Sequence, residues 1–200
     1  MQFRLLYAGN LLKAAGARNR RAWEKHSIRR ELHAQLNTLW KSNPALKYYS
    51  ERSVEDPRGS PHQAFMDVLA RRYARDGVGF VPLITAANGL VCELDIMFLR
   101  PERPGSILGQ GGDIDNRVKV LLDGLRIPRS GSEMRRKEGD DPDPNPMYCL
   151  LEDDNLITSL KVTTDTLLFT LGKGPSEACV LITVNTANVD PFGSPWELHL

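Results

Sequence analysis

Two acidic stretches hold most of the side chains in this sequence that could do chemistry. One is Gly112-Asp113-Ile114-Asp115-Asn116-Arg117-Val118-Lys119, running on to Asp123-Gly124-Leu125; the other is Glu152-Asp153-Asp154. Together they offer a carboxylate cluster and one lysine, a set suited to holding a divalent cation against a phosphate. Like charges brought together cost energy unless a cation neutralises them. Asp113 follows glycines and precedes an apolar run, the place of a helix N-cap. Val118, Leu121, Leu122 and Leu125 share one helical face. Asp115, Lys119 and Asp123, spaced four apart, line a neighbouring face with about 40° of drift per step. Asp113, Asp115 and Lys119 can converge on one ion only if the chain bends at the helix start, which the glycines permit. A plainer account is a capped surface helix with an Asp–Lys–Asp ladder worth a few tenths of a kcal/mol per pair. That account leaves Glu152-Asp153-Asp154 unexplained.

The elements that would position these residues follow from periodicity. Phe3, Leu5 and Tyr7 lie on one side of a strand that ends near Gly9-Asn10. Ile28, Leu32, Leu36, Leu39 and Trp40 recur at helical spacing, so residues 22–42 predict an amphipathic helix, stopped at Asn43-Pro44. Its polar side, Arg29, Arg30, His33 and Lys41, reads as a solvated face, although such a face could meet DNA. Residues 47–61 read as a polar excursion, and Phe65, Met66, Leu69 and Tyr73 mark a short second helix. Asn88-Gly89 between the apolar runs Phe80–Ile84 and Leu90–Leu99 is a hairpin signal. Leu90, Cys92, Leu94, Ile96 and Phe98 share one face of the second run. Glu93 and Asp95 occupy the other, as exposed strand residues or as distal members of the acidic site. The segment 126–147 is dense in Arg, Gly, Asp and Pro, a composition that suggests a mobile loop. Ile157 to Phe169 and Ala178 to Val184 read as a closing antiparallel hairpin. The order predicts an α+β domain over residues 1–187, a small mixed or antiparallel sheet packed against two or three helices, with a tail over 188–200.

Composition bounds the function. The chain has 200 residues, 41% hydrophobic and 26% charged, ordinary for a soluble globular protein. No apolar run approaches the roughly 18 residues of a membrane span, and the N-terminus lacks the apolar core of a signal peptide, so a cytoplasmic protein with no membrane partner is expected. Cys92, Cys149 and Cys179 are widely spaced and form no C-x-x-C pair, which argues against a disulfide framework and for free buried thiols. His33 and His62 have no ligand spacing around them. The net charge is only +1, yet basic residues cluster at 18–21, 29–30, 71–72 and 135–137. Two readings stand: scattered solvated charge, or a basic surface around an acidic centre suited to nucleic acid.

Asp113-Ile114-Asp115-Asn116, then Lys119, then Asp123-Gly124-Leu125, followed by Glu152-Asp153-Asp154 and a β run, resemble the RusA family of Holliday junction resolvases. The resemblance covers residues 113–125 and 152–154 directly, and the rest by order of elements. It implies a RusA-like fold and a homodimer that nicks opposed strands of a four-way DNA junction with Mg²⁺, Mn²⁺ being the alternative ion, in DNA recombination and repair. It implies Asp113, Asp115 and Asp154 as essential metal-binding carboxylates, Asp153 as an accessory ligand, and Lys119 as the essential lysine facing the phosphate. Glu152 is expected to face outward and Asp123 to stabilise the helix. Arg20, Arg21, Arg29, Arg71, Arg72, Arg117, Arg135 and Arg136 are the expected phosphate contacts. The excursion at 47–75 and the insertion at 126–147 depart from the compact family pattern. The alternative reading is a non-catalytic module that binds branched DNA on the same fold.

Overall fold

The computed structural model describes residues 1–11, 18–54, 63–101, 113–136, 139–173 and 177–189, without the side chains of 18–20, 54 and 113. Its central strand is the one with the cleanest alternation. In β5 (Leu90–Arg100), Leu90, Cys92, Leu94, Ile96 and Phe98 are buried while Glu93 faces out, as period-2 patterning requires of a half-wet sheet. Asp95 on the outer face pairs with Lys161 at 2.9 Å, an ordinary cross-strand contact. β8 (Glu177–Asn188) pairs antiparallel with β5, and β1 (Gln2–Asn10) lies antiparallel beyond β8. On the other side β7 (Ile157–Thr166) runs parallel to β5, giving a four-stranded mixed sheet of order β1-β8-β5-β7.

Leu5 and Tyr7 of β1, and Ala178, Val180, Ile182 and Val184 of β8, join the buried face. Helix α1 (Arg18–Ser42) contributes Ile28, Leu32, Leu36 and Trp40 to the same core. Asn43 ends α1 and starts the next helix. Its side chain accepts from Ala45 N and Leu46 N, capping α2 (Pro44–Ser50) with proline in the first turn. α2, the short ladder β2 (Ser53–Val54) with β3 (Gln63–Ala64), and α3 (Phe65–Arg72) give the excursion more regular structure than its polar sequence predicts. The described residues thus form an α+β fold with four helices, one more than expected.

The sequence-based hairpins are both corrected. Asn88-Gly89 does turn the chain, with Gly89 at φ +62°. However, β4 (Phe80–Ile84) is buried at all five positions and pairs parallel with β6 (Met147–Leu151) in a separate sheet. A strand buried on both faces has no place beside a partner with one wet face. The Asn88 carboxamide is spent on its own turn, accepting from Thr85 N and Leu90 N and donating to Leu83 O. Likewise β7 and β8 do not pair with each other, because β5 lies between them.

Helix α4 (Asp113–Leu125) packs on α1. Gly124 makes the approach possible: a Cβ there would lie 2.7 Å from Ile28 Cγ2. Among the described residues no helix is long and apolar enough to cross a membrane.

Candidate carboxylate site

The face that α4 turns inward, Val118, Val120, Leu121 and Leu125, leaves Asp115, Asn116 and Lys119 outside. Asp115 and Lys119 are exposed, and among the described residues neither makes an ion pair or hydrogen bond. The other charges on this helix serve the fold. Arg117 is 1% exposed and donates to Leu11 O, so it is not the phosphate contact its type suggested.

Asp123 is 6% exposed, with Lys25 Nζ and Arg126 Nη2 each 2.6 Å from its carboxylate. Burial pushes this carboxyl up, but the hydrogen bond from Lys25 and the charges of Arg126 and Lys25 outweigh it and hold the group below the usual carboxylate range. The Asp115–Lys119–Asp123 ladder is therefore absent among the described residues. Asp123 stabilises contacts between segments rather than along its own helix.

The helix exit leads to the second acidic stretch. Arg126 forms a parallel bridge with Leu151, and Ile127 N donates to Leu151 O at 2.9 Å. Glu152 N then donates to Ile84 O at 2.9 Å. Glu152-Asp153-Asp154 therefore leaves the carboxyl end of the parallel pair β4–β6 directly beside the exit from α4. Glu152 does not face outward as expected. Its Oε2 accepts from Ala86 N at 2.9 Å, because the β4–β5 turn offers an unfilled donor there.

Asp153 caps the 3₁₀ turn Asp154–Leu156 by accepting from Asn155 N at 3.1 Å. That backbone bond, with the charge of Arg129, holds its carboxyl below the ordinary value. Asp154 is partly exposed and lies 3.3 Å from Arg129 Nη2, which is also 3.7 Å from Asp153. Arg129 was not singled out by sequence; nothing distinguishes it from other arginines of the insertion.

The insertion is anchored rather than loose in its described parts. Glu133 accepts from Arg126 at 3.2 Å, Asp143 lies 2.8 Å from His26 Nε2, and Asn145 accepts from Gly79 N at 3.0 Å. Desolvation lowers the pKa of buried His26 despite Asp143. Arg29 is corrected as a DNA contact. At 1% exposure it donates to Arg126 O at 2.9 Å and to Asp123 O at 2.8 Å, fastening α1 to the end of α4.

Arg21, Arg71, Arg72, Arg135 and Arg136 are exposed, and the side chain of Arg20 lies outside the described residues. Arg72 stacks 5.9 Å over Tyr73, and Arg136 pairs with Asp143 at 3.6 Å. His33 accepts from Tyr148 N at 2.9 Å, a structural role. His62 lies outside the described residues. All three cysteines are free; Cys92 and Cys149 are buried, with their thiols pushed up to about 12, while Cys179 is only partly buried.

Among the described residues no group of three or more His, Cys, Asp or Glu side chains is placed to hold a metal ion. The side chain of Asp113, one of the three expected ligands, is not among them. The structure brings Asp153 and Asp154 together with Arg129 beside the α4 exit; Asp115 and Lys119 stand on the exposed face of the same helix, Asp115 about 15 Å along the axis from that exit. No family model matches this sequence, and no curated protein or solved structure shows significant similarity to it.

Proposed function

We propose that this protein is a Mg²⁺-dependent endonuclease of RusA type, acting on four-way junctions or related branched DNA in recombination and repair. The observation that carries the proposal is selective use of charge. α4 commits Arg117 and Asp123 to the fold and leaves Asp115 and Lys119, the residues of the resemblance, exposed and unpaired among the described residues. The Arg126–Leu151 bridge ties the strand that ends in the acidic triplet to the exit of this helix.

Asp113, Asp115 and Asp154, with Asp153 as accessory, would hold the ion. Their donor set is all carboxylate oxygen, which suits a hard divalent cation. The guanidinium of Arg129 beside Asp153 and Asp154 marks a place where positive charge is already favoured. When bound, the metal supplies an activated water and charge neutralisation at the scissile phosphate. Lys119 stabilises negative charge developing on the phosphate. Arg21, Arg71, Arg72 and Arg135 are the exposed cations available to the DNA backbone, and their share of the affinity falls with salt.

The test is incubation of purified protein with a synthetic four-way junction and Mg²⁺. Cleavage that disappears in Asp115→Asn, Lys119→Ala and Asp154→Asn supports the reading. Intact junctions, or undiminished cleavage in those variants, overturn it. The second reading, a non-catalytic branched-DNA-binding module, is favoured by one observation: Arg129 neutralises Asp153 and Asp154 without any metal. It predicts junction binding without cleavage under any divalent ion.

A further inference from the structure

After Val189 the chain runs on through Asp190-Pro191-Phe192-Gly193-Ser194-Pro195-Trp196-Glu197-Leu198-His199-Leu200, a segment outside the described residues. From Trp196 its sequence alternates strictly, Trp196, Leu198 and Leu200 against Glu197 and His199, the period of a strand with one dry face. The two edges of the sheet are not equally ready to receive such a strand. Along β1, Gln35 donates to Leu6 O at 2.6 Å and accepts from Leu6 N at 2.9 Å, and Glu31 accepts from Ala8 N at 3.0 Å. Those bonds blunt the middle of that edge. Among the described residues β7 pairs only with β5. Leu167 N donates to Arg100 O at 2.6 Å, so alternation turns the backbone groups of Lys161 and Thr163 toward β5 and those of Leu160, Val162 and Thr164 away. The outward groups have no partner among the described residues.

We infer that residues 195–200 of the same chain dock along the outer edge of β7 as a fifth strand, parallel to it. Direction follows from where β8 ends. It stops beside the start of β5, where Val189 N donates to Gly89 O at 2.9 Å, and β7 begins at the same end of the sheet, with Ile157 beside Cys92. A chain that crosses this end must then run as β7 runs. Register follows from reach. The outer side of β7 lies three strand spacings from β8, about 14 Å, and the level of Leu160, beside Leu94, is about 16 Å along from Gly89. The direct path of about 22 Å takes about seven extended residues, so Trp196 is the first tail residue able to stand beside Leu160. Leu198 then stands beside Val162 and Leu200 beside Thr164. Leu160 and Val162 share the face of Leu94 and Ile96, so the apolar side of the tail lies on the core side, where Leu160 is still 43% exposed.

The prolines agree with that register. In a parallel ladder the outward N–H groups of Leu160, Val162 and Thr164 donate to the carbonyls of Pro195, Glu197 and His199. Pro195 opens the strand, a position where its carbonyl is used and its missing N–H is not needed. Pro191 falls in the crossing, before any ladder bond. The tether selects this occupant over a free strand. A segment held within reach by its own chain stands at an effective concentration on the order of millimolar, without any further contact. The inference is separate from the proposed activity, and its test does not involve cleavage.

The experiment is amide hydrogen exchange by NMR on the full chain, on the chain truncated after Val189, and on Glu197→Pro, each over a series of protein concentrations. In the full chain the amides of Leu160, Val162 and Thr164 are expected to exchange about tenfold more slowly than in the truncated one. Lys161 and Thr163, which face β5, should be equally protected in all three, which shows the sheet intact. Glu197→Pro removes the N–H aimed at Leu160 O and should lose the outward protection as truncation does. Outward amides that exchange as fast in the full chain as in the truncated one overturn the inference. So does Glu197→Pro that keeps its protection, and so does protection that grows with protein concentration, which would put a second copy at the edge. A second measurement oxidises a Val162→Cys, Leu198→Cys chain in a Cys179→Ser background. The disulfide is expected within one chain; its absence, or a link between two chains, also overturns the inference.

Discussion

Asp115 and Asp123 stand about two turns apart on α4 and carry the same carboxylate into opposite environments. Asp123 is enclosed by Lys25 and Arg126, beside an Arg29 that reaches its carbonyl oxygen. Asp115 is exposed and unpaired among the described residues. The fold takes its electrostatic stability from one and leaves the other available. A charge that the structure does not need is a better candidate for chemistry than one it has already neutralised.

The largest effect expected from this contrast is on stability. Asp123→Asn leaves Lys25 and Arg126 without their counter-charge and should cost about 3–5 kcal/mol in denaturant unfolding, as the breaking of buried pairs does. A cost at Asp115 as large as at Asp123 would break the comparison. Asp115→Asn and Lys119→Ala should instead lower junction cleavage about a hundredfold, on the scale of a lost transition-state contact. Their unfolding free energies should stay within about 0.5 kcal/mol of wild type.

Acid titration sharpens the same point. The Asp123 carboxyl is depressed in the folded state, so its stabilisation is fully present above the ordinary carboxylate value near 4. That stabilisation is lost as pH falls through the lower folded value. Wild type should show this acid-limb loss, and Asp123→Asn should lack that component. At milder pH, His26 and His33 contribute with the same sign. Burial lowers both, so stability is full above about 6.5 and falls as pH drops toward their folded values, where the unfolded chain binds protons the native state refuses. A melting temperature that rises on acidification from neutrality would contradict this. The smallest effect belongs to Arg129→Ala. Its pairs with Asp153 and Asp154 are solvent-exposed, so unfolding should shift by no more than about 1 kcal/mol. If Asp153 and Asp154 bind Mg²⁺, the same change should tighten binding measured by calorimetry.

The parts of the fold legible in sequence were those with a local period. The alternation of β5 and the four-residue spacing of Ile28, Leu32, Leu36 and Trp40 reported strand, helix and buried face directly. Strand partners were not legible. Asn88-Gly89 marks a turn in either topology, and only the burial of β4 on both faces separates it from β5. Arg29 and Arg117 were misread for a related reason. Their burial is decided by the carbonyls of Asp123, Arg126 and Leu11, which come from distant segments. The polar composition of 126–147 hid the contacts of Glu133, Asp143 and Asn145, which anchor it without regular structure. For the candidate site, residue type and spacing pointed to Asp115 and Lys119. The roles of Glu152 and Arg129 depend on where the β4–β5 turn and the insertion arrive, and spacing carries no such information.

The side chains of Gln35 and Glu31 on β1 have a consequence for stoichiometry. A sheet with two open edges can add copies at each end, and growth has no natural stop. Gln35 takes up both outward groups of Leu6 and Glu31 the N–H of Ala8, which blunts the middle of the β1 edge. Strand addition at the middle of β1 therefore has to displace those bonds before it can begin.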